Sequence, residues 1–558
     1  MTTSQRPPET FWRAVRRRIC RWVCDDEPPQ PPKDTPIAFM PGQICILAEY
    51  PPDPDRKLTK RQIVEEVRRN IAERQLSMQI DFAQARVAII RGRDRTLANV
   101  VGWVPKLRDE PAELLGFIRE VHKQIALPPL QGRRVDKGDV GQTGSGEYLQ
   151  GGEQPAEAAR PAGQRAPARG VNPPAERFNL RAASANWLMS GAKFIIGGGP
   201  GAQPVSVLVP SSGTTPAPWE FTMPAGLGAP GVGELTRPVE VVILDTVPRL
   251  SLLQAAHTDR VTNQVQPHPL LQRLLSSSSG AFNVVDRTLS TSSPGAVDQL
   301  EVWYNSSFPI ASIFGQDYTM SSHGLFVAGI IRTIAPQVKL RMIQVLHDDA
   351  TGELQDLMNA IETLSDREDD APLLVNCSFL INVPLEGEDL QQLMEDIFAL
   401  VSDSNVAVIA AAGNQGSAGL AAIPEAQAPA SYADVTGVGA LKRDNITPAS
   451  YTNKADAPPT VGFAAFGGEV ALGTDPPTTD LTNGVLGVFI DNLPDSLINE
   501  TGWVRWAGTS FSTPIVTAAL ANVLSRTANT DDPLLAVNDL LGLMPSGTIG
   551  ETVAVTQG

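Results

Sequence analysis

Cysteine, histidine and long apolar runs are all scarce in this sequence of 558 residues. The four cysteines, Cys20, Cys24, Cys45 and Cys377, have neither metal-site spacing nor the density of a disulfide framework. No secretory signal is visible, because arginines interrupt the apolar residues near the N-terminus, and no apolar run is long enough to cross a bilayer. We therefore expect a reducing compartment and a cytoplasmic location.

A surplus of basic residues is also lacking. Lysine and arginine total 45 against 61 aspartates and glutamates, which gives a formal net charge of -16. Binding to phosphate backbones requires concentrated positive charge, so the composition argues against a nucleic-acid-binding protein. The length predicts roughly three or four domain-sized units, or one large domain with smaller pieces.

Residues 1–36 form a basic segment followed by a proline-rich spacer. The stretch "FWRAVRRRICRWVC", Phe11 to Cys24, alternates apolar residues with arginines at near-helical spacing. Such a helix fits docking on an anionic membrane surface, helped by acylation of Cys20 or Cys24, or packing on another part of the protein or on a partner. We favour the second interpretation, because amphipathic helices are common in soluble proteins.

Residues 37–128 are predicted to form a small α/β domain. The stretches "QICILAEY" and "ARVAIIRG" are typical of strands, and "PAELLGFIREVHKQI" of a helix. Thr59 and Gln62 have the spacing of a capping box at the start of another helix. Residues 129–177 are rich in Gly, Pro, Ala and Gln and have little to bury, so we expect a disordered linker.

Residues 178–558 are predicted to form the largest domain, with a motif-bearing core over 238–540. Near-continuous apolar strands alternate there with amphipathic helices, which indicates an α/β fold with a doubly wound parallel sheet covered on both faces. In such sheets the functional residues collect at the carboxyl ends of the strands. The predicted strands are "PVEVVILDT", "QVKLRMIQVL", "PLLVNCSF" and "VAVIAAAGN".

Four polar residues lie at the ends of these predicted elements. Asp245 ends one strand, Asn414 follows another, His323 opens a helix, and Ser510 precedes the apolar helix in "AGTSFSTPIVTAALA". Taken singly, each fits a turn or a helix cap. Together they provide a nucleophile, a base, an orienting carboxylate and an amide donor, the set that acyl transfer requires. Pro514 is expected within the first turn of its helix, where its missing N–H costs nothing.

The motifs "LDT", "SSHGLFVAGI", "AAAGN" and "AGTSFSTP" resemble, in chain order, those of the subtilisin-like serine proteases. The resemblance covers roughly Val239 to Arg526. It implies a subtilisin-type fold, with Asp245, His323 and Ser510 as the catalytic triad and Asn414 as the oxyanion donor. It also implies a set of substrate-binding residues in two segments, namely Ser378, Phe379, Leu380, Ala411 and Gly413.

The segment "NCSFLINV" departs from the family pattern in a way that bears on specificity. Leu380 and Ile381 stand where the substrate-binding strand usually carries glycines, so we expect a narrowed pocket and restricted specificity. Val247 and Phe326 also replace residues usual in the family, but neither position donates a catalytic group. A long insertion between Asp245 and His323 adds a segment that covers the cleft or shapes specificity.

No cofactor and no metal site are predicted. His347 with Asp348 and Asp349 fits a solvated turn better than a metal site, because adjacent ligands rarely converge on one ion. Calcium sites occur in the family, but no stretch has the spacing of an EF-hand, so structural calcium stays open.

The sequence therefore predicts a regulated intracellular serine endopeptidase that cleaves protein or peptide substrates through an acyl-enzyme. Two alternatives stay open: a protease that matures a dedicated precursor peptide, and a catalytically silent relative that acts as a binding module. Residues 37–128 have two candidate roles, an inhibitory prodomain or an adaptor for a regulatory protein partner. We favour the adaptor, because the tether is long and no secretory signal precedes it.

Overall fold

The computed structural model of the protein describes most of the chain from residue 39 to residue 557. The described ranges are 39–50, 58–74, 80–92, 95–108, 111–126, 178–191, 202–207, 219–231, 234–288, 299–305, 320–348, 350–367, 371–381, 388–402, 405–416, 422–455, 462–471, 473–474, 477–494, 497–526 and 532–557. The predicted basic helix over Phe11 to Cys24 and the predicted linker over 129–177 lie outside these ranges.

The first half of the described chain contains the strands β1 (Phe39–Tyr50), β2 (Asp81–Arg91), β3 (Thr96–Trp103), β4 (Asn179–Gly191), β5 (Val205–Ser206), β6 (Phe221–Thr222), β7 (Glu240–Asp245), β8 (Val284–Thr288) and β9 (Leu300–Tyr304). Its α-helices are α1 (Lys60–Glu73), α2 (Pro111–Ala126), α3 (Leu250–Ala256) and α4 (Pro269–Leu275).

The second half contains the strands β10 (Lys339–Gln344), β11 (Thr351–Glu353), β12 (Leu373–Cys377), β13 (Phe379–Ile381), β14 (Val406–Ala411), β15 (Val435–Leu441), β16 (Phe463–Phe466), β17 (Val485–Val488), β18 (Trp503–Trp506), β19 (Glu551–Val553) and β20 (Thr556–Gln557). Its α-helices are α5 (Ser322–Ile334), α6 (Leu354–Ser365), α7 (Glu388–Ser402), α8 (Thr509–Arg526) and α9 (Pro533–Leu543).

A nine-stranded parallel sheet organises the second domain, in the order β19-β16-β15-β14-β12-β7-β10-β9-β8. The predicted α/β fold with a doubly wound parallel sheet is thereby confirmed. The strand β7 lies between β10 and β12, so the later strands of the chain are added on both sides of β7. The carboxyl end of such a strand opens a crevice between the flanking connections, and Asp245 is the last residue of β7.

Both faces of this sheet are buried. Along β7, Val242 and Leu244 belong to one apolar cluster and Val241 and Ile243 to the other. The first cluster contains the apolar residues of α6 and α7, and the second contains those of α5 and α8. This alternation follows from the two-residue period of a strand, and it explains why the β7 sequence is apolar throughout.

A smaller antiparallel sheet in the order β4-β1-β3-β2 packs on the outer side of α6. The strand β4, which follows the predicted linker, pairs with β1 and continues to pair with β11 and β13 of the large domain. The predicted capping box at the start of α1 is confirmed, because the Thr59 side chain accepts from Gln62 N–H and the Gln62 side chain accepts from Thr59 N–H. None of the described helices is long and apolar enough to span a membrane.

Candidate active site

Asp245 and His323 form a buried pair at the carboxyl end of β7. The Nδ1 atom of His323 lies 2.7 Å from Oδ1 of Asp245, which also accepts the Thr246 backbone N–H at 2.6 Å. Asp245 is fully buried and His323 is 2% exposed. The hydrogen-bonded pair therefore lies in a region of low dielectric constant, where a carboxylate on one ring nitrogen fixes the tautomer that leaves the other nitrogen as a base.

Thr246 holds the first turn of α5 against β7. Its Oγ1 lies 3.1 Å from the Met320 carbonyl oxygen and 3.0 Å from that of Ser321, and it accepts the Gly324 N–H at 3.0 Å. A Cβ at Gly324 would lie 2.2 Å from the Thr246 carbonyl oxygen, so glycine is required for this approach. The Asp245–His323 contact thus depends on the close packing of helix on strand.

Ser510 lies in the first turn of α8, and its side chain is buried. Its hydroxyl donates to the Ser378 carbonyl oxygen at 3.3 Å, and no hydrogen bond joins it to His323 within the described residues. Hydrogen bonds between catalytic groups are often long or absent before substrate binds, and they tighten in the complex. The ring of Phe511, the next residue, lies 5.6 Å from the His323 ring, so the two helix starts are neighbours.

The expectation for Pro514 is wrong, because α8 begins at Thr509 and the proline lies inside the helix. A helical residue at this position would donate its N–H to the Ser510 carbonyl oxygen, four residues earlier. That oxygen instead accepts the hydroxyl of Ser378 at 2.9 Å. Ser378 is held in turn by Asn376 Nδ2 at 2.9 Å, so a tertiary contact satisfies the group that the proline leaves unpaired.

Asn414 is held by its amide oxygen. Its Oδ1 accepts both the backbone N–H and the hydroxyl of Thr509, each at 2.9 Å. The preceding Gly413 has φ of 116°, a conformation that side chains rarely adopt, and its N–H donates to the Thr509 hydroxyl at 3.3 Å. The carbonyl end of the amide is thereby fixed towards α8, and the Nδ2 end is the one that carries donors.

The predicted substrate-binding residues lie along β13 and β14. Ser378 precedes β13, and the buried side chains of Leu380 and Ala411 pack together in a small cluster of their own. Phe379 instead points into the larger core shared with α6 and α7. Leu380 therefore fills the space beside the last residue of β14.

The backbone of β4 occupies the edge of β13. Gly191, Ser190 and Met189 pair antiparallel with Phe379, Leu380 and Ile381, respectively. The same stretch pairs with β11 on its other side, with Ser190 opposite Thr351. Since β13 runs away from Ser378, the antiparallel β4 runs towards it, and the carboxyl end of β4 is the end nearest Ser510.

Aromatic rings surround the imidazole of His323. The Trp506 ring is perpendicular to it, with the centroids 5.4 Å apart, and the Trp506 Nε1–H donates to the Ala202 carbonyl oxygen at 2.7 Å. Phe326, which replaces a residue usual in the family, packs against both Trp506 and Phe511. This cluster is absent from the predictions made from the sequence, although the aromatic residue just before "AGTS" is a signal for it.

The charge of Asp245 also affects Cys377 on the adjacent strand. Burial raises the pKa of the Cys377 thiol, and the nearby carboxylate raises it further. The thiol is therefore neutral at physiological pH, and Cys377 does not compete with Ser510 as a nucleophile.

Within the described ranges, no group of three or more His, Cys, Asp or Glu side chains is arranged to hold a metal ion. His347 is buried beyond the end of β10, and its backbone N–H donates to the Thr351 carbonyl oxygen. Asp348 forms an ion pair with Arg249 at 3.6 Å, whereas Asp349 lies outside the described residues. Binding of structural calcium stays open, as in the sequence analysis.

Comparisons with known proteins match the part of the chain that contains His323, Asn414 and Ser510. Residues 303–543 match the family model described as Subtilase family. The chain is 27% identical to subtilisin NAT of Bacillus subtilis subsp. natto and 26% identical to subtilisin J of Geobacillus stearothermophilus, over 219 residues in each case. These alignments cover 37% of this chain and 46% of each relative, so the chain spans about half the length of the curated relatives it matches.

Two solved structures are also similar to the chain. The prenylagaramide maturation protease PagA is 22% identical, with coverage of 58% of this chain and 92% of PagA and a TM-score of 0.36. The epidermin leader peptide processing serine protease EpiP of Staphylococcus aureus is 17% identical, with coverage of 56% and 72%, respectively, and a TM-score of 0.36.

Proposed function

We propose that this chain, whose residues 303–543 match the family model described as Subtilase family, is a serine endopeptidase that acts on protein or peptide substrates. The observation that carries the proposal is the buried hydrogen bond of 2.7 Å between His323 Nδ1 and Asp245 Oδ1, on a helix whose neighbour α8 bears Ser510 in its first turn. A carboxylate–imidazole pair beside a serine is the arrangement that activates a hydroxyl for attack on a carbonyl carbon.

In the reaction, Ser510 Oγ attacks the scissile carbonyl carbon while His323 Nε2 takes the hydroxyl proton. Asp245 stabilises the resulting imidazolium through Nδ1. Asn414 Nδ2 and the Ser510 backbone N–H donate to the oxygen that becomes negative, and His323 then protonates the leaving amine. A water molecule then attacks the acyl carbon while His323 Nε2 takes its proton, and His323 returns that proton to Ser510 Oγ as the ester bond breaks and the carboxylic acid product leaves.

The backbone donor of this oxyanion site follows from the position of Ser510. Residues in the first turn of a helix have no carbonyl acceptor four residues earlier within the helix. The N–H of Ser510 has no acceptor among the described residues, whereas those of Thr509 and Phe511 bond to Asn414 and Gly508. The positive end of the α8 dipole adds to the stabilisation of the oxyanion.

Restricted specificity is the second part of the proposal. Leu380 is 3% exposed and packs on Ala411, so an apolar side chain fills space beside the strand that would bind substrate. A substrate with a large side chain at this point would have to displace Leu380. Maturation of a dedicated precursor peptide remains the alternative, because it needs the same chemistry and the same narrow specificity.

We also propose that the small sheet β4-β1-β3-β2 inhibits the site in cis, as the prodomain interpretation requires, and the adaptor role stays the alternative. Its strand β4 pairs with β13 and β11 in the antiparallel sense, with its carboxyl end towards Ser510. A peptide substrate would use the same backbone groups of β13 to add a strand. Regulation would then consist in the release of β4. The cytoplasmic location and a regulatory protein partner for residues 37–128 remain proposals from the sequence alone.

Labelling of the full chain with a fluorophosphonate probe tests the activity. We expect the wild type to be labelled and Ser510→Ala not to be labelled. The matched control is Ser512→Ala, which should be labelled like the wild type, because it removes a buried hydroxyl that bonds only to the Thr509 carbonyl oxygen one turn earlier in the same helix. The same labelling of Ser190→Pro, in which the pairing of β4 is weakened, distinguishes a blocked active site from an inactive one. Absence of labelling in both the wild type and Ser190→Pro would refute the protease function and favour the catalytically silent binding module.

A further inference from the structure

The helix that bears His323 has no cap from its own residues. At the start of α5, Ser321 has helical dihedral angles (φ −58°, ψ −27°) and its side chain makes no capping hydrogen bond within the helix. The first turn of a helix exposes N–H groups that need acceptors, and burial makes that need stricter. An acceptor for this helix must therefore come from elsewhere in the chain.

Asp491, which lies just beyond β17, supplies that acceptor. Its Oδ2 accepts the Ser322 backbone N–H at 2.7 Å, and its Oδ1 accepts the Ser321 hydroxyl at 2.7 Å. The carboxylate is 7% exposed. A negative charge at this end of a helix also interacts favourably with the helix dipole, and it does so more strongly away from solvent.

The contact is reciprocal. The Ser322 hydroxyl accepts the backbone N–H groups of Ile490 and Asp491 at 3.0 and 3.2 Å. Ser321 and Ser322 are 1% and 0% exposed. Four hydrogen bonds, three of them buried, therefore join residues 490–491 to the start of α5, which fixes both the depth and the rotation of its first turn.

His323 is the next residue of that turn, between two fixed contacts. On one side Thr246, which adjoins Asp245, bonds to Gly324 N–H and to the carbonyl oxygens before His323. On the other side Asp491 bonds to Ser321 and Ser322. Because a ring carried on a helix moves with its backbone, loss of either contact would displace the imidazole relative to Ser510.

We propose that Asp491 is a positioning residue for the proton transfer between Ser510 and His323. The proposal rests on the serine endopeptidase function proposed above. Asp491 acts through the start of α5 and does not itself contact the substrate. A displacement of about 1 Å between reacting groups can lower a rate by roughly 100-fold, so the predicted effect is large compared with that of an ordinary surface carboxylate.

The test uses fluorophosphonate labelling of the full chain at several probe concentrations, which separates the limiting rate from the half-saturating concentration. Asp491→Ala should lower the limiting rate about 10- to 100-fold and change half-saturation less than about twofold. The matched control is Asp444→Ala, which removes a carboxylate that accepts two N–H groups in an exposed turn over 444–447. The control should label at the wild-type rate.

A second readout reports on His323 directly. The downfield proton resonance of His323 Nδ1–H, hydrogen bonded to Asp245, should shift or broaden in Asp491→Ala and stay unchanged in Asp444→Ala. If Asp491→Ala does not fold, Asp491→Asn decides the matter, because it keeps an acceptor but loses the charge, and its limiting rate should still fall. Wild-type rates and an unchanged resonance in the folded variant would overturn the proposal, while absence of Ser510-dependent labelling in the wild type would overturn the protease function instead.

Discussion

Replacement of Ser190 by proline tests the claim that β4 blocks the active site. The backbone of Ser190 pairs with Leu380 on one side and with Thr351 on the other, so it is central to both ladders. Proline has no N–H to donate and is poorly tolerated between two paired strands. The substitution should therefore weaken the pairing near Ser510.

The magnitude follows from the backbone group that loses its partner. An unsatisfied polar group in a buried ladder costs about 1–3 kcal/mol. Because about 1.4 kcal/mol corresponds to a factor of ten, the population with an open cleft should rise roughly 5- to 150-fold. The small sheet should stay in place, since β1 pairs with β3 over eight residues and its apolar residues share a core with α6.

The assay is the initial rate of Ser510 labelling by a fluorophosphonate in the full chain. The matched control is Gln84→Pro, an exposed position in the irregular part of the edge strand β2, where proline is tolerated. We expect a faster rate for Ser190→Pro, abolished by Ser510→Ala, and an unchanged rate for the control. Equal labelling of Ser190→Pro and the wild type, with both folded and both reactive, would falsify the blocking role of β4.

Three further outcomes are expected. Asn414→Ala should lower kcat about 100- to 1000-fold with little change in KM, a magnitude taken from subtilisin, and a KM effect alone would argue against an oxyanion donor. Leu380→Gly should broaden the cleavage profile on a random peptide library, and an unchanged profile would remove Leu380 as the specificity determinant. Burial lowers the pKa of His268 from 6.5 to about 3, so the unfolded state binds the extra proton and the free energy of unfolding should decrease as the pH falls from about 6.5 to about 3. Chemical denaturation should show a smaller decrease for His268→Asn, whose side chain can still accept the Leu271 N–H but does not titrate.

The sequence was sufficient for features that depend on local pattern. The apolar run ending in Asp245 predicted a buried strand, and the spacing of Thr59 and Gln62 predicted the cap of α1. The contact between Asp245 and His323 was predictable in outline, because carboxyl ends of parallel strands share one edge of a sheet. Such patterns specify which residues lie at the end of each strand or helix, and the predicted catalytic residues are among those terminal residues.

Features set by distant partners were not predictable in the same way. The pairing of β4 with β13 joins residues separated by a long stretch of chain, and no local pattern records such a pairing. Pro514 is predicted in the first turn of its helix, yet α8 starts at Thr509, and Ser378 supplies the donor that the proline lacks. The capping of α5 by Asp491 is of the same kind, since the acceptor lies far from the helix in sequence.

The position of the Ser510 hydroxyl distinguishes between two sources of control. Its bond to the Ser378 carbonyl oxygen is long, 3.3 Å, and a neutral hydrogen bond contributes only about 0.5–1.5 kcal/mol net. Rotation of the hydroxyl from Ser378 to His323 is therefore a small part of any barrier to acyl transfer. The two proposals made above locate control elsewhere: in access to the cleft, through the pairing of β4 with β13, and in the placement of the imidazole, through the contacts of Asp491 and Thr246 with α5. The two are separable by variants, because Ser190→Pro should raise the labelling rate by increasing the population with an open cleft, whereas Asp491→Ala should lower the rate at which an open site reacts.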